Sequence, residues 1–279
     1  YKRQINEFVH LGTPDQYIDF LSWKKSFTNK LIKKNDFKTN ATIMLAAGKG
    51  ERVSNIKELK PFLNYNNDQI YKYIFDRYKS NKRVIITEKM LNRKFDNKEY
   101  KVFSINHTRS MFETIFKSKE ILQKQDNYFL TSCDCFGKIN IPKLKRHMSK
   151  KNTDLLLFAF TYTNMQKNLG NSHTQLKIKN KVLYDIDVKK KYLKNQMGHA
   201  GFFLIKSGKV FNFINNFMMS KSFKQLKREV LIDDYFKYLV VNKFVKTNYF
   251  KLDNYTHIGS DKEYLEYKYW NNYFMKEYV

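Results

Sequence analysis

The sequence predicts an α/β domain built on a doubly wound, mostly parallel sheet, followed by a smaller mixed part. Short apolar strands alternate with amphipathic helices through residues 41 to 160, and this alternation is typical of a parallel sheet covered by helices on both faces. Of 279 residues, 42% are hydrophobic and only nine Gly and three Pro occur, which favours an ordered chain with a large core. In such folds, ligands bind at the carboxyl ends of the strands.

The predicted elements follow from hydrophobic periodicity, with period 3.6 marking helices and short apolar runs marking strands. Beyond residue 160, two short segments are predicted to form a hairpin, and a further strand precedes a helix rich in Phe and Met. In chain order the predicted elements are helix 14–34, strand 41–46, helix 68–78, strand 83–87, helix 110–122, strand 128–132, strand 154–160, hairpin 174–186, strand 200–205 and helix 210–219.

The chain opens with a near copy of its own ending. "HLGTPDQYIDFLSW" begins at His10, and "HIGSDKEYLEYKYW" begins at His257, at a constant offset of 247 residues (257 − 10). The copies share Gly12 with Gly259 and Phe27 with Phe274. We expect residues 1–37 to be a helical remnant of a preceding module, packed on a domain that spans residues 38–279. A matched pair of helices within one domain is the alternative.

Composition also narrows the class of protein. The formal net charge is +27, but the lysines are spread along the chain among Asn, Tyr, Phe and Ile, and no nucleic-acid-binding signature stands out. We therefore expect an anionic small substrate, with no nucleic acid as partner. The two cysteines, Cys133 and Cys135, are too close together for a disulfide framework. No apolar run could cross a bilayer, so a reducing cytoplasm is the expected compartment.

The motif "TIMLAAGKGERVSNIKELKPF" carries the strongest chemical signal. A strand runs into Ala46-Ala47-Gly48-Lys49-Gly50-Glu51-Arg52, and Lys60-Pro61 follows eight residues after Arg52. The two glycines allow a sharp turn whose N–H groups can approach phosphate oxygens. This pattern is neither a P-loop nor the dinucleotide GxGxxG turn. A bare structural turn is the alternative, but the strand, the AAGxGxR run and the later Lys-Pro make the combination specific.

"LAAGKGER" with "LKPF" resembles the signature of nucleotidylyltransferases that activate sugar 1-phosphates or related molecules with an NTP, over residues 41 to 274. The resemblance implies a Rossmann-like sheet of the nucleotide-diphospho-sugar transferase type. It also implies that the glycine loop wraps the nucleotide, that Arg52 meets the outgoing pyrophosphate and that Lys60 contacts the reacting phosphates. The nucleotide-binding residues implied by the resemblance are Leu45, Ala46, Ala47, Gly48, Lys49, Gly50 and Ser110, the last standing where the family usually has glycine.

The resemblance further implies a magnesium site. Asp134, just past a buried strand in "FLTSCDCFG", matches the metal-binding aspartate of the family and would hold Mg²⁺ as cofactor; without the match it would read as a turn residue. The closing motif usually has Asp-x-Gly-Thr, whereas this chain has His257-Ile258-Gly259-Ser260. His257 is a second candidate ligand, but imidazole suits magnesium poorly, so we favour a structural role for it.

The acceptor side is implied by "YDIDVKKK" and "MGHAGFFLIKSG". Asp187 and Lys189 match an acidic residue and a lysine that contact the acceptor, and Gly198 and Gly201 would line its pocket; a charged hairpin loop is the alternative. The expected activity joins an NTP to a phosphorylated acceptor, releases pyrophosphate and supplies surface glycan biosynthesis. Homo-oligomers are common among such proteins. A catalytically inactive nucleotide- or sugar-phosphate-binding relative, or a glycosyltransferase of similar architecture, remains the alternative.

Overall fold

The computed structural model describes residues 12–28, 39–48, 59–65, 68–96, 98–162, 173–190, 193 and 196–276. Its helices are α1 (Pro14–Thr28), α2 (Ile70–Arg77), α3 (Met111–Lys117), α4 (Lys119–Gln123), α5 (Ile141–Lys150), α6 (Ile214–Met219), α7 (Lys221–Lys224), α8 (Ile232–Asn242) and α9 (Asp261–Lys276). Its strands are β1 (Thr39–Ala46), β2 (Asn64–Tyr65), β3 (Asp68–Gln69), β4 (Ser80–Glu88), β5 (Lys101–Ile105), β6 (Tyr128–Ser132), β7 (Cys135–Lys138), β8 (Leu155–Phe160), β9 (Gln175–Lys179), β10 (Val182–Asp187), β11 (Met197–Ile205), β12 (Thr247–Lys251) and β13 (Asn254–His257).

A nine-stranded mixed sheet carries the fold. Four neighbouring strands, in the order β6-β1-β4-β5, run parallel, and β11 lies antiparallel between β6 and β8. The β9–β10 hairpin extends one edge through β11, and β12 pairs in parallel with β8. The predicted α/β class with a mostly parallel first half is confirmed, and the antiparallel strands form the more mixed second half.

Successive residues of β1 face opposite sides of the sheet, as the pleat requires. Met44 packs in a core with α1, α2, α5 and α9, whereas Ile43 and Leu45 pack in a second core with α3, α4, α6 and α8. Both faces are therefore covered by helices. This explains why β1 reads as a continuous apolar run and not as an alternating one.

Two predicted helices differ in the structure. The segment 110–122 is interrupted at Ser118, whose hydroxyl donates to the Thr114 carbonyl at 2.7 Å. Such bonding of a serine to the preceding turn competes with a regular helix. The segment 210–219 begins as a 3₁₀ turn over Gly208–Phe213 and becomes α-helical only at Ile214. The predicted hairpin is confirmed, with Asn180 and Lys181 turning it at positive φ.

Helices α1 and α9, the two copies of the sequence repeat, pack against each other in antiparallel fashion. Phe20 lies 5.5 Å from Phe274, Phe27 lies 5.9 Å from Tyr267, and Phe27 stacks on Phe274 at 5.5 Å, measured between ring centroids. At the repeat offset of 247 residues, Tyr267 corresponds to Phe20 and Phe274 to Phe27. The contacts are therefore reciprocal, as in a local two-fold arrangement. Whether α1 derives from a preceding module stays a prediction.

Across the described ranges, none of the helices combines the length and the apolar character needed to cross a membrane.

Candidate active site

A cleft of about 910 Å³ opens where the parallel strands end. The parallel register pairs Leu45 of β1 with Ser132 of β6, so the segments that follow these two strands emerge side by side. One supplies Gly48 and the other supplies Asp134. This is the edge where ligands bind in open α/β sheets, and the size is that of a small-molecule site.

The nucleotide end of the cleft is built from the end of β1. Leu45, Ala46, Ala47 and Gly48 all line it. Gly48 forms a parallel bridge to Thr108, and a Cβ atom at Gly48 would meet no atom of the described residues within 4 Å. A ligand can therefore approach the main chain closely here.

Ser110 also lines the cleft, where it caps α3. Its hydroxyl accepts a hydrogen bond from the Glu113 backbone N–H at 3.2 Å. Lys49, Gly50 and Arg52, the remaining predicted residues of the glycine loop, lie outside the described residues.

Lys60 and Asp134 meet in the cleft. The Lys60 Nζ lies 3.0 Å from Asp134 Oδ2, and the two side chains are only 9% and 13% exposed. Ser132 donates to the other carboxylate oxygen, Oδ1, at 2.7 Å. The fold thus brings Lys60 and Asp134 into contact, although they lie 74 positions apart in the sequence. Both were predicted to act on the same phosphates. Removing either partner would leave the other charge shielded and unpaired, which is costly.

The closing motif lies directly beside Asp134. Strand β13 pairs with β7, placing His257 opposite Cys135, and the Ile258 N–H donates to the Asp134 carbonyl at 2.8 Å. His257 Nδ1 lies 2.6 Å from Glu263 Oε1, and the Ser260 hydroxyl donates to Oε2 at 2.7 Å. The His257 side chain is therefore engaged with Glu263, as expected for a structural histidine.

Glu263 is buried and ionised. Burial alone would raise the pKa of its carboxyl, but the charge of His257 and the hydrogen bonds from His257 and Ser260 outweigh it and lower the pKa to about 2. His173 is the third member of this group, with its ring centroid 5.3 Å from that of His257. Its charge also lowers the pKa of Glu263, so both imidazoles compensate the buried carboxylate.

Two sets of side chains could hold a metal. His173, His257 and Glu263 each offer a ligand atom, and these atoms lie within 4.8 Å of one another. That nitrogen-rich set suits transition metals, not magnesium. Asp134 offers an oxygen ligand on the cleft wall, and Mg²⁺ is often bound by one or two carboxylates together with substrate phosphates. Asp134 therefore fits magnesium, whereas His257 does not.

The predicted acceptor residues separate into two groups. Lys189, at φ +51°, and Gly201, at φ +72°, line the cleft. Asp187 and Gly198 are absent from the described cleft wall. The Asp187 carboxylate is 3% exposed and pairs with Lys177 Nζ at 3.2 Å, and Gly198 packs so closely under Phe160 that a Cβ would come within 2.2 Å of the ring.

Several cleft residues were not predicted from the sequence. His199 Nδ1 lies 2.7 Å from Asp233 Oδ1, and the Thr174 hydroxyl donates to Asp233 Oδ2 at 2.7 Å. Burial would raise the pKa of Asp233, but the charge of His199 and the hydrogen bonds from His199 and Thr174 lower it. In the sequence, the one indication of this hydrogen-bonded group was the polar His199 inside an apolar strand. The cleft residues that were not predicted include Thr174, His199, Arg228 and Asp233.

The cysteines beside Asp134 are packing residues. Both are buried and free. Burial, followed by the charge of Asp134, raises the pKa of Cys133 to about 12, so its thiol is protonated at neutral pH and is not a nucleophile.

The fold matches solved nucleotidyltransferase structures. An inositol-1-phosphate CTP transferase from T. maritima is 15% identical with a TM-score of 0.63, and 84% of this chain and 95% of that chain are covered. A protein assigned as a glucose-1-phosphate thymidylyltransferase from Bacillus anthracis, solved with sucrose, gives 14% identity, a TM-score of 0.61 and coverages of 82% and 94%. A nucleoside-diphosphate-sugar pyrophosphorylase from Vibrio cholerae gives 14% identity and a TM-score of 0.64, and 81% of this chain and 99% of that chain are covered.

No protein-family model and no curated protein matches the sequence. At 14–15% identity, the structural matches establish the architecture of the chain. This architecture is the one that the resemblance of the glycine loop and the Lys-Pro pair implied. The chain thus has the α/β fold of the nucleotide-diphospho-sugar transferase type, which these nucleotidyltransferases share.

Proposed function

We propose that the protein is a nucleotidyltransferase that joins an NTP to a sugar 1-phosphate or a similar phosphorylated small molecule and releases pyrophosphate. The observation that carries this proposal is the shielded Lys60–Asp134 pair, which lines the same cleft as the end of β1 and Gly48 at the carboxyl edge of the parallel strands. A cation, a carboxylate and accessible backbone then surround one space, which is what in-line transfer between phosphates requires.

The reaction needs little acid–base chemistry from the protein. A phosphate oxygen of the acceptor attacks the α-phosphorus of the NTP, a new P–O–P bond forms, and the bond to the β-phosphate breaks to release pyrophosphate. Lys60 neutralises charge on the transferring phosphate. The backbone at Ala47 and Gly48 borders the nucleotide, and Arg52 is assigned to the leaving pyrophosphate through the family resemblance.

Asp134 would hold Mg²⁺. When bound, the ion supplies charge neutralisation between the nucleotide phosphates. The Asp134 carboxylate is oriented for this role by Ser132 and Lys60, through its Oδ1 and Oδ2 atoms respectively. The proposed biological role, supply of activated precursors for surface glycans, rests on the family resemblance alone.

The test is pyrophosphate release with Mg²⁺, measured for the four NTPs against sugar 1-phosphates, a polyol phosphate and phosphocholine. Release that depends on one NTP and one acceptor, and that is lost in Asp134→Ala, supports the proposal and names both substrates. An exposed carboxylate, Asp76 (63% exposed), supplies the control variant Asp76→Ala, which should retain activity.

A specific observation favours a second candidate, a non-catalytic binding relative. The closing aspartate of the family is replaced by His257, which is engaged with Glu263. In that case nucleotide would bind, for example in an equilibrium titration, while no pair of substrates released pyrophosphate.

A further inference from the structure

Three side chains at the closing motif bring metal-ligating atoms together. His173, His257 and Glu263 each offer one such atom, and these atoms lie within 4.8 Å of one another. Around a tetrahedral ion with bonds of about 2.0–2.1 Å, the ligand atoms lie about 3.3 Å apart. Small rotations of the three side chains are therefore enough for one ion to contact all of them.

The group is shielded from solvent and held in orientation. His173 and Glu263 are 6% and 5% exposed, and the His257 side chain is 12% exposed. A Cβ atom at Gly259 would lie 2.3 Å from the His257 ring, so only glycine leaves room for this position of the imidazole. The Ser260 hydroxyl donates to Glu263 Oε2 at 2.7 Å. Hydrogen bonds from such neighbours orient the ligands of metal sites.

The types of ligand select the class of metal. Two imidazoles and one carboxylate suit Zn²⁺ and similar transition-metal ions, whereas Mg²⁺ prefers oxygen ligands. Cys133 and Cys135 are nearby thiols, since Cys135 pairs with His257 across β7 and β13. Burial raises the pKa of both thiols, which disfavours the thiolate form that a metal binds. The imidazoles are therefore the favoured ligands.

The charges of the group are compatible with a bound dication. Burial would raise the pKa of Glu263, but the charges of His257 and His173 lower it, so both imidazoles carry protons that compensate the carboxylate. A dication that binds the neutral imidazoles releases these two protons. The total charge of the group is then the same before and after the ion binds.

The group borders the cleft on one side only. His173 and His257 line the cleft, whereas Glu263 is not among the described residues of its wall. An ion held by all three would therefore lie at the cleft wall, with Glu263 behind it. Three protein ligands with an open fourth position are the arrangement of catalytic zinc sites, whereas structural zinc sites have four protein ligands.

We propose that His173, His257 and Glu263 bind a transition-metal dication of the Zn²⁺ class, with a fourth coordination position that faces the cleft and takes water or an oxygen atom of a ligand. This site is separate from the magnesium position at Asp134 and uses different ligands. The proposal does not depend on the proposed function, because it concerns the binding of the metal alone.

The test uses Co²⁺ as a spectroscopic substitute for Zn²⁺, added without nucleotide to protein that has been treated with a chelator. Co²⁺ with four or five ligands absorbs visible light far more strongly than octahedral Co²⁺. We expect such a band to saturate at about one ion per chain, to disappear when Zn²⁺ is added and to persist in excess Mg²⁺. The weak spectrum of octahedral Co²⁺ alone, or displacement by Mg²⁺, would overturn the proposal.

Variants locate the bound ion. His173→Gln and His257→Gln should each weaken Co²⁺ binding at least about 100-fold, because loss of an outer neighbour alone costs about 10- to 100-fold. His147→Gln is the matched control, a half-buried histidine outside the described cleft wall, and it should keep the affinity. Asp134→Ala should keep it too. With circular dichroism showing that each variant is folded, equal affinities in all of them would place the ion elsewhere and overturn the proposal.

X-ray absorption at the zinc edge examines the unmodified protein, so its result does not depend on the folding of any variant. Nitrogen and oxygen ligands at about 2.0–2.2 Å, with scattering from two imidazole rings, would support the site. Sulfur ligands at about 2.3 Å would place the ion on Cys133 or Cys135 and contradict it.

The same measurements separate this inference from the proposed function. A cobalt band with the expected dependence on His173 and His257, without pyrophosphate release from any pair of substrates, would support the metal site and contradict the transferase. Pyrophosphate release with Mg²⁺ and no cobalt band would do the reverse. The absence of both would contradict both.

Discussion

At the scale of single residues, three carboxylates in and beside the cleft are distinguished by their partners. Asp134 faces Lys60 and Ser132, Glu263 faces His257 and Ser260, and Asp233 lies 2.7 Å from both His199 and Thr174. A buried carboxylate is tolerated only when it is paired and hydrogen-bonded. Each of the three carboxylates therefore has its own set of charge and hydrogen-bond partners.

Glu263 is expected to contribute to stability in a pH-dependent way. Its folded-state pKa of about 2 lies below the ordinary value of 4.5, so its contribution is fully present above pH 4.5 and is lost as the pH falls toward 2. Glu263→Gln should therefore destabilise the protein by about 3 kcal/mol at pH 7. Urea unfolding at pH 7 and at pH 3 measures the difference.

The control for this prediction is the exposed Glu120, where Glu120→Gln should change stability by less than about 0.5 kcal/mol at either pH. A Glu263→Gln penalty that was the same at pH 3 as at pH 7 would show that the carboxylate charge does not contribute.

Some of these residues could be predicted from the sequence, and others could not. Lys60 and Asp134 could be predicted because each follows a recognisable local pattern, a Lys-Pro pair and an aspartate after an apolar strand. His199 and Asp233 lie 34 positions apart, in a strand and a helix whose apolar patterns conceal them. Their pairing depends on how β11 meets α8, which no local pattern specifies.

At the scale of elements, the α1–α9 pair is held by aromatic packing. Phe27 is 4% exposed and contacts both Tyr267 and Phe274. Phe27→Ala should lower the free energy of unfolding by about 3–4 kcal/mol, since it removes a large buried ring and leaves a cavity. Because α1 contributes no described residue to the cleft, kcat should change little.

Chemical denaturation and steady-state kinetics test this prediction together. Tyr17→Ala, on the exposed side of α1 (50% exposed), should be nearly neutral and serves as the control. A large loss of kcat at unchanged stability would show that α1 acts on the site and not only on the core.

The strands were predicted more accurately than the helices, for a physical reason. Strands buried on both faces, such as β1, β6 and β8, are continuous apolar runs that stand out in the sequence. The break at Ser118 and the 3₁₀ start of the helix at Gly208 depend on one hydroxyl and on local packing. Hydrophobic periodicity does not report such features.

At the scale of the whole molecule, the charge should act on substrate capture. A formal net charge of +27 attracts an anionic NTP over a distance set by the Debye length, which shortens from about 30 Å at 0.01 M salt to about 8 Å at 0.15 M. We expect kcat/KM for the NTP to fall about 3- to 10-fold over this range, with kcat nearly constant.

Steady-state kinetics in increasing NaCl, at fixed magnesium, measures this effect. Sucrose at matched viscosity is the control for diffusion, and it should lower kcat/KM far less. A rate independent of salt would show that the charge has no part in substrate capture.

The fold class could be predicted because strand–helix alternation over residues 41 to 160 limits the topology to a parallel, doubly wound arrangement. The antiparallel insertion of β11 between β6 and β8 was not predictable. It is a long-range pairing, and it brings His199 and Gly201 to the cleft that Gly48 also lines.

Transfer of a nucleotidyl group in this cleft is best tested by ³¹P NMR of a mixture of NTP, sugar 1-phosphate and Mg²⁺. The signals of both substrates should be replaced by those of a diphosphate diester and free pyrophosphate, and Asp134→Ala should form neither product. Accumulation of orthophosphate alone, or the same products at the same rate in Asp134→Ala, would contradict this transfer.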